Sequence, residues 1–146
     1  MSTPQRVSKA VGRRPKVVIS EECLKRLEAL AERAYQRDPE LADRLLDELN
    51  RARVLPQKKL PGNVVTIGRE VTYVDELSGE ETTVTPVYPE DADISRGLIS
   101  ILTPIGVALI GLAEGASLPW QTRGGETRLL KVLRVLSEPK ARGQEL

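Results

Sequence analysis

Histidine and phenylalanine are both absent from this sequence of 146 residues, and aromatic residues make up only 3% of it. Histidine is the side chain whose unperturbed pKa lies in the physiological range, so its absence excludes Ser-His-Asp triads, Cys-His pairs and imidazole metal sites. Without Phe, the core must be built from Val, Leu, Ile and Ala, which leaves little material for an aromatic-lined pocket. Carboxylate or Ser-Lys catalysis stays open in principle. We nevertheless expect no enzyme, no cofactor and no small-molecule substrate.

Long apolar runs and cysteine pairs are also missing. The longest uncharged stretch, Gly97 to Ala113, has 17 residues and contains Pro104, whereas a membrane-spanning helix needs about 20 apolar residues. One cysteine cannot form an internal disulfide, which agrees with a reducing compartment. Residues 1–16 have no apolar segment of the kind found in secretory signals. These features predict a soluble, cytoplasmic protein without a membrane partner.

Charge is distributed unevenly along the chain. Residues 1–16 carry five basic side chains and no acidic one, whereas residues 63–137 carry six basic and ten acidic side chains. The basic arm contains Pro4, Gly12 and Pro15, which predicts a flexible terminus. A weak contact with nucleic acid or with an acidic protein surface is the alternative interpretation of this arm. Residues 139–146 are predicted to be a second tail.

Residues 17–55 carry the pattern of a short helical hairpin, and a strand is predicted at Lys16–Ile19. Ser20 is a predicted N-cap, and apolar residues follow at helical spacing to about Arg37. Asp38-Pro39 then combines a second N-cap with a proline at the first helical position. Two helices of about 15 to 17 residues would give antiparallel arms of roughly 25 Å. We expect this hairpin to stand apart from the rest of the chain.

Residues 56–62 are a predicted linker, and residues 63–138 have the alternating pattern of β-strands. Two strands flank the turn at Ser78-Gly79, and two more flank Gly124-Gly125. A continuous apolar run at residues 98–102 predicts a buried strand. The fold class is therefore α+β, with a helical hairpin followed by a sheet domain.

A short helix is predicted directly after that buried strand. Thr103 is a suitable N-cap, Pro104 suits the first helical position, and Gly111 is a suitable C-terminal stop. An apolar Pro-Ile pair at the start of a short surface helix could also contact a partner protein. The cap and the contact are compatible roles for the same residues.

This segment, Thr103-Pro104-Ile105-Gly106-Val107-Ala108-Leu109-Ile110-Gly111 followed by Glu114-Gly115, resembles the signature of the C-terminal domain of the Gre transcript-cleavage factors. Two further segments resemble one branch of that family, the regulators of nucleoside diphosphate kinase (Rnk). They are Val87-Tyr88-Pro89, and Trp120 followed by Gly124-Gly125. The likeness covers about residues 16–138. The family pattern has Asp after the second glycine, whereas this chain has Ala116.

The resemblance implies an FKBP-like domain, an antiparallel sheet of four to five strands packed on one short helix. It also implies a partner. In the Gre family this domain docks onto RNA polymerase at the entrance of the secondary channel. The positions expected to bind that partner are Thr103, Pro104, Ile105, Gly106 and Leu109.

Gre factors carry acidic residues at the hairpin tip that help to hold a metal ion at the polymerase active centre. At the corresponding place this chain has Asp38 and Glu40. Both are also explained by the start of the second helix, as an N-cap and as a first-turn acid. Because full Gre factors have a much longer hairpin, we expect polymerase binding without metal binding at the tip and without transcript cleavage.

Two alternatives remain open. The protein could regulate nucleoside diphosphate kinase, or act as a scaffold, without contacting polymerase. By fold analogy it could instead be a prolyl isomerase, but that activity uses an aromatic-lined pocket and the domain has only Tyr73, Tyr88 and Trp120. Trp120 is expected to pack in the fold, or else to anchor a partner. The thiol of Cys23 is expected to pack rather than to react.

Overall fold

The computed structural model describes residues 15–121 and 124–136, and for Trp120 and Gln121 it describes the backbone only. The basic arm up to residue 14, Arg123 and the C-terminal tail therefore lie outside the described residues, as does the side chain of Trp120. From residue 15 onward, a short strand and two helices come first, and a mixed sheet with one further helix follows.

The predicted helical hairpin is confirmed. Helix α1 spans Glu21–Ala34 and helix α2 spans Pro39–Asn50. Each begins as the sequence predicts, because the Ser20 side chain accepts a hydrogen bond from the Cys23 backbone N–H and the Asp38 side chain accepts one from that of Leu41. With 14 and 12 residues, the helices are about 21 and 18 Å long, shorter than expected.

A two-stranded parallel sheet joins the two ends of the hairpin. Strand β1 (Val18–Ser20) was predicted, whereas strand β2 (Arg53–Leu55) was not. The Val18 backbone N–H also donates to the carbonyl oxygen of Gly111, at 3.0 Å. The base of the hairpin is thus hydrogen-bonded to the second half of the chain.

The second half forms a five-stranded sheet in the order β5-β4-β3-β7-β6. Its strands are β3 (Val71–Asp75), β4 (Glu81–Val87), β5 (Leu98–Ser100), β6 (Ser117–Gln121) and β7 (Thr127–Val135). Helix α3 (Pro104–Leu109) follows β5. The expectation of a fully antiparallel sheet is wrong at one edge, because β5 runs parallel to β4.

The parallel edge follows from the ten residues between the two strands. Two single-turn 3₁₀ helices, Pro89–Asp91 and Ile94–Arg96, carry the chain back along β4 before β5 begins. Residues of β5 are half-buried rather than buried, because the strand lies at the sheet edge. The fully buried residue of that apolar run is Ile101, just after the strand.

The hairpin and the sheet domain share one hydrophobic core, so the expectation that the hairpin stands apart is wrong. The buried helical residues belong to the same cluster as buried residues of the sheet and of α3. Its hairpin members include Leu27, Leu30, Ala31, Leu41, Leu45 and Leu49, and its later members include Val65, Val71, Ile101, Leu109 and Val132. The apolar stripes of α1 and α2 therefore cover the domain as well as each other.

A buried arginine holds the linker in place through hydrogen bonds. Arg69 is 8% exposed, and its Nη1 atom donates to the carbonyl oxygens of Pro61 and Val64 at 2.8 and 2.9 Å. Burial lowers the pKa of Arg69 from its usual value, yet a guanidinium remains charged at neutral pH. The segment between hairpin and sheet is consequently held by charge-assisted hydrogen bonds.

Among residues 15–121 and 124–136, no helix combines the length and apolar character that crossing a bilayer requires. The uncharged stretch from residue 97 to 113 instead forms β5 and α3.

Candidate functional site

The first turn of α3 is organised by Thr103. Its Oγ1 atom accepts a hydrogen bond from the Gly106 backbone N–H at 3.1 Å and donates one to the carbonyl oxygen of Ser100 at 2.8 Å. Pro104 occupies the start of the helix, where its missing N–H costs nothing. These contacts fix how the helix leaves the end of β5.

Gly106 allows α3 to lie very close to the preceding strand. A Cβ atom at this position would lie 2.8 Å from the carbonyl oxygens of both Ser100 and Ile101. Because these are backbone atoms, no side-chain rotation can relieve the contact. Close packing against the backbone of residues 100 and 101 thus explains the glycine of the motif without any partner.

The five predicted docking residues divide into two groups. Gly106 is buried and Leu109 is fully buried in the core, so both support the helix from within. Thr103, Pro104 and Ile105 are half-buried, and Ile105 also packs against the core cluster. These last three residues are therefore partly accessible to a partner. Their direct contact with it stays a prediction.

A groove that sequence reasoning missed lies beside this helix. It has a volume of about 250 Å³ and runs between α3, strand β6 and helix α2. Its apolar wall includes Pro104, Val107, Ala108, Leu118 and Pro119, and its charged rim is formed by Arg44, Glu48 and Arg51.

Arg44 and Glu48 share one face of α2 because they are four positions apart, and Arg51 follows directly after the last residue of the helix. Arg51 contacts Glu48, with its Nε and Nη2 atoms 3.0 and 2.9 Å from Oε1. Arg44 is exposed and has no such partner among the described residues. The helical spacing was visible in the sequence, but the apolar wall opposite was not.

At the hairpin tip, Asp38 and Glu40 are both exposed. The Oδ1 atom of Asp38 is engaged as the cap of α2, 3.2 Å from the Leu41 backbone nitrogen. Asp43 lies one turn later, and its carboxylate is 3.5 Å from the Tyr35 hydroxyl. Within residues 15–121 and 124–136, no three His, Cys, Asp or Glu side chains are grouped as metal ligands.

Helix α1 is also attached to the connection between β4 and β5. The guanidinium of Arg26 lies 3.8 Å from the centre of the Tyr88 ring and forms an ion pair with Glu90, at 2.6 Å. Tyr88 is 8% exposed, and burial is the main cause that raises the pKa of its hydroxyl well above the usual value. Cys23 is half-buried, with its sulfur 3.8 Å from the Thr66 hydroxyl oxygen. The Tyr88 ring, one of the few aromatic rings of the domain, is covered by this contact.

The two halves of the chain match two protein families. Residues 15–55 match the family described as Rnk N-terminus, and residues 60–137 match the family described as transcription elongation factor, GreA/GreB, C-term. The second range contains the whole of α3 and most of the groove wall. The candidate docking helix therefore lies in the part that is similar to the elongation factors.

Individual proteins of both kinds are also similar to this chain. The regulator of nucleoside diphosphate kinase of Escherichia coli (strain K12) is 33% identical over 133 residues, which are 91% of this chain and 98% of that protein. The transcription elongation factor GreA of Rhodospirillum rubrum is 42% identical over 81 residues, 56% of this chain and 52% of that protein. A solved structure, the prokaryotic transcription elongation factor GreA/GreB from Nitrosomonas europaea, superimposes with a TM-score of 0.65 at 38% identity. That superposition covers 84% of this chain and 98% of that chain.

Proposed function

This chain belongs to the GreA/GreB family, in the branch with the Rnk N-terminus, and on that premise we propose that it regulates transcription by binding RNA polymerase. The binding site on polymerase is the entrance of the secondary channel, and the protein catalyses no reaction there. This partner would place the protein in the cytoplasm, as its sequence predicts.

The observation that carries this proposal is the surface of the first turn of α3. Thr103, Pro104 and Ile105 are partly accessible there, on a helix whose start is held by a cap and by a glycine contact. Such a rigid apolar projection is suited to a partner pocket, since little conformational entropy is lost when it binds. The same segment lies in the range that matches the elongation factors.

Absence of transcript cleavage follows from the short hairpin. Helices of about 21 and 18 Å limit how far the tip can project. Asp38, the first acidic residue of the tip, is already engaged in capping α2. We therefore expect the protein to occupy the channel entrance, and to compete with longer Gre factors, without reaching the catalytic metal.

A second candidate function is regulation of nucleoside diphosphate kinase. It is favoured by the name of the Escherichia coli relative, which aligns over 91% of this chain. In this case the kinase pathway, and not polymerase, is the physiological target. Polymerase binding by the purified protein separates the two candidates.

The test compares polymerase binding by wild type, Ile105→Glu and Asp38→Ala. If Ile105 fills an apolar pocket on polymerase, Ile105→Glu should cost about 2 kcal/mol or more, which is about thirtyfold in affinity. Asp38→Ala should change binding little. Ile94→Glu is a matched control, because Ile94 is 85% exposed and lies outside the motif. Each variant must first give the wild-type circular dichroism spectrum, since Ile105 also touches the core.

Transcript cleavage is measured in parallel on stalled elongation complexes. The expected result is micromolar or tighter binding by wild type and no cleavage above the rate of polymerase alone. If wild type does not bind at micromolar concentration, the proposed function is wrong. Robust cleavage would instead contradict the argument from hairpin length, even if binding is observed.

A further inference from the structure

The groove beside α3 has the size and the lining of a pocket for one side chain. Its volume of about 250 Å³ lies below the ~300 Å³ at which pockets for drug-sized ligands begin. Pro104, Ala108 and Pro119 are half-buried along it, so apolar surface is still accessible to a partner. One large apolar side chain would remove this surface from water.

Charge on the rim selects the kind of partner. Glu48 is already in contact with Arg51 at 2.9 Å, whereas Arg44 is exposed and makes no ion pair or hydrogen bond within the described residues. Among its described residues, the rim therefore offers one free positive charge next to an apolar wall. A carboxylate beside a large apolar side chain is complementary to this arrangement.

The groove is also continuous with the candidate docking surface, because Pro104 belongs to both. The chain's own basic arm is less suitable as an occupant. Pro15 lines the groove, but residues 1–16 carry five basic side chains and no acidic one, so the arm has no carboxylate to place against Arg44.

Resting on the proposed function, we infer that polymerase binds across both surfaces. It inserts one large apolar side chain into the groove and places a carboxylate against Arg44. The docking surface thus extends from α3 onto helix α2 of the hairpin. The Rnk-type N-terminal half then contributes directly to polymerase binding.

Two variants test the two parts of this inference. Arg44→Glu replaces attraction with repulsion and should weaken polymerase binding about tenfold at low salt, with a smaller dependence on salt than in wild type. Ala108→Trp fills the groove and should weaken binding at every salt concentration. Lys25→Glu is the matched control for charge, because Lys25 is exposed on the other hairpin helix and does not line the groove. It should bind within about twofold of wild type, as expected for an exposed charge outside the contact.

The outcomes distinguish this inference from the proposed function. If wild type binds polymerase and Arg44→Glu binds equally well with unchanged salt dependence, the inference is wrong and the proposed function stands. If wild type does not bind, both are wrong. A wild-type dimer that Ala108→Trp converts to a monomer would assign the groove to a second copy of the chain. Wild-type affinity of Ala108→Trp for polymerase would show that the partner inserts no side chain into the groove. Either result overturns the inference.

Discussion

Replacing Gly106 with alanine is expected to destabilise the protein, although alanine is the better helix former. In an exposed helix, alanine is favoured over glycine by about 1 kcal/mol. Here the added Cβ atom would lie 2.8 Å from two backbone carbonyl oxygens, those of Ser100 and Ile101. Overpacking in a rigid environment costs about 1 to 3 kcal/mol.

Relieving the contact has a further cost. If the Ser100 carbonyl moves away, it loses the 2.8 Å hydrogen bond from the Thr103 hydroxyl, which contributes about 1 kcal/mol. The unfavourable terms exceed the gain in helix propensity, so we expect a net loss of about 2 kcal/mol in the free energy of unfolding. For a chain of this length the midpoint of thermal unfolding should fall by roughly 6 °C.

Urea denaturation followed by circular dichroism measures this loss. Ala108→Gly, two residues later in the same helix, reports the propensity effect without a contact of this kind and should cost about 1 kcal/mol. Both substitutions are then destabilising, although they change helix propensity in opposite directions. A Gly106→Ala variant as stable as wild type, or more stable, would refute the packing argument.

Two other predictions concern stability. Leu27→Ala removes a fully buried side chain and should lower the free energy of unfolding, measured by urea denaturation, by about 2 to 5 kcal/mol. Arg26→Ala should lower it by less than about 1 kcal/mol, because the ion pair of Arg26 with Glu90 is largely exposed. Similar costs for the two variants would contradict attachment of the hairpin through the core. Burial raises the pKa of Asp75, but hydrogen bonds from Arg128 and two backbone N–H groups outweigh burial and leave the pKa below its usual value. The ionised carboxylate therefore stabilises the fold at any pH above the unfolded-state pKa. This contribution is lost as the pH falls through the lower, folded-state pKa. Asp75→Asn should therefore show a weaker fall in stability under acid than wild type does, and an identical pH profile would contradict this assignment.

The helix starts could be predicted from the sequence because their chemistry is local. Ser20, Asp38 and Thr103 each cap a helix through a backbone N–H three residues later. An N-cap hydrogen bond joins neighbours in sequence, so its pattern survives without knowledge of the fold. The proline after two of these caps strengthens the same signal.

Pairing of distant segments could not be predicted in this way. Strand β2 has three residues and is a strand because it lies beside β1, more than thirty positions earlier. The direction of β5 depends on the path of the residues that precede it. The groove joins α2 to residues of α3 and β6, so it has no signature in any single stretch of sequence.

The error about the hairpin has a physical explanation that also bears on function. The apolar stripes on α1 and α2 are wide enough to cover the sheet domain as well as each other. Arg33 and Arg37, at the tip end of α1, line a depression together with Pro89 and Leu102 of the domain. Helix α1 therefore lies beside the β4–β5 connection from Arg26 to Arg33.

Attachment of α1 to the domain shortens the effective reach of the hairpin. A free hairpin projects by its full helix length, about 21 Å for α1. Here the end of that helix is still beside the β4–β5 connection, so the tip extends beyond the domain by less than this length. Because the shared core also fixes its direction, the tip cannot gain reach by swinging outward without exposing residues such as Leu27 and Leu45, which are fully buried. Exposing two such side chains costs about 3 to 6 kcal/mol, more than a tip with two exposed acids is expected to recover. An attached hairpin of this length is consistent with a protein that occupies a site on polymerase without delivering acidic groups to its catalytic centre.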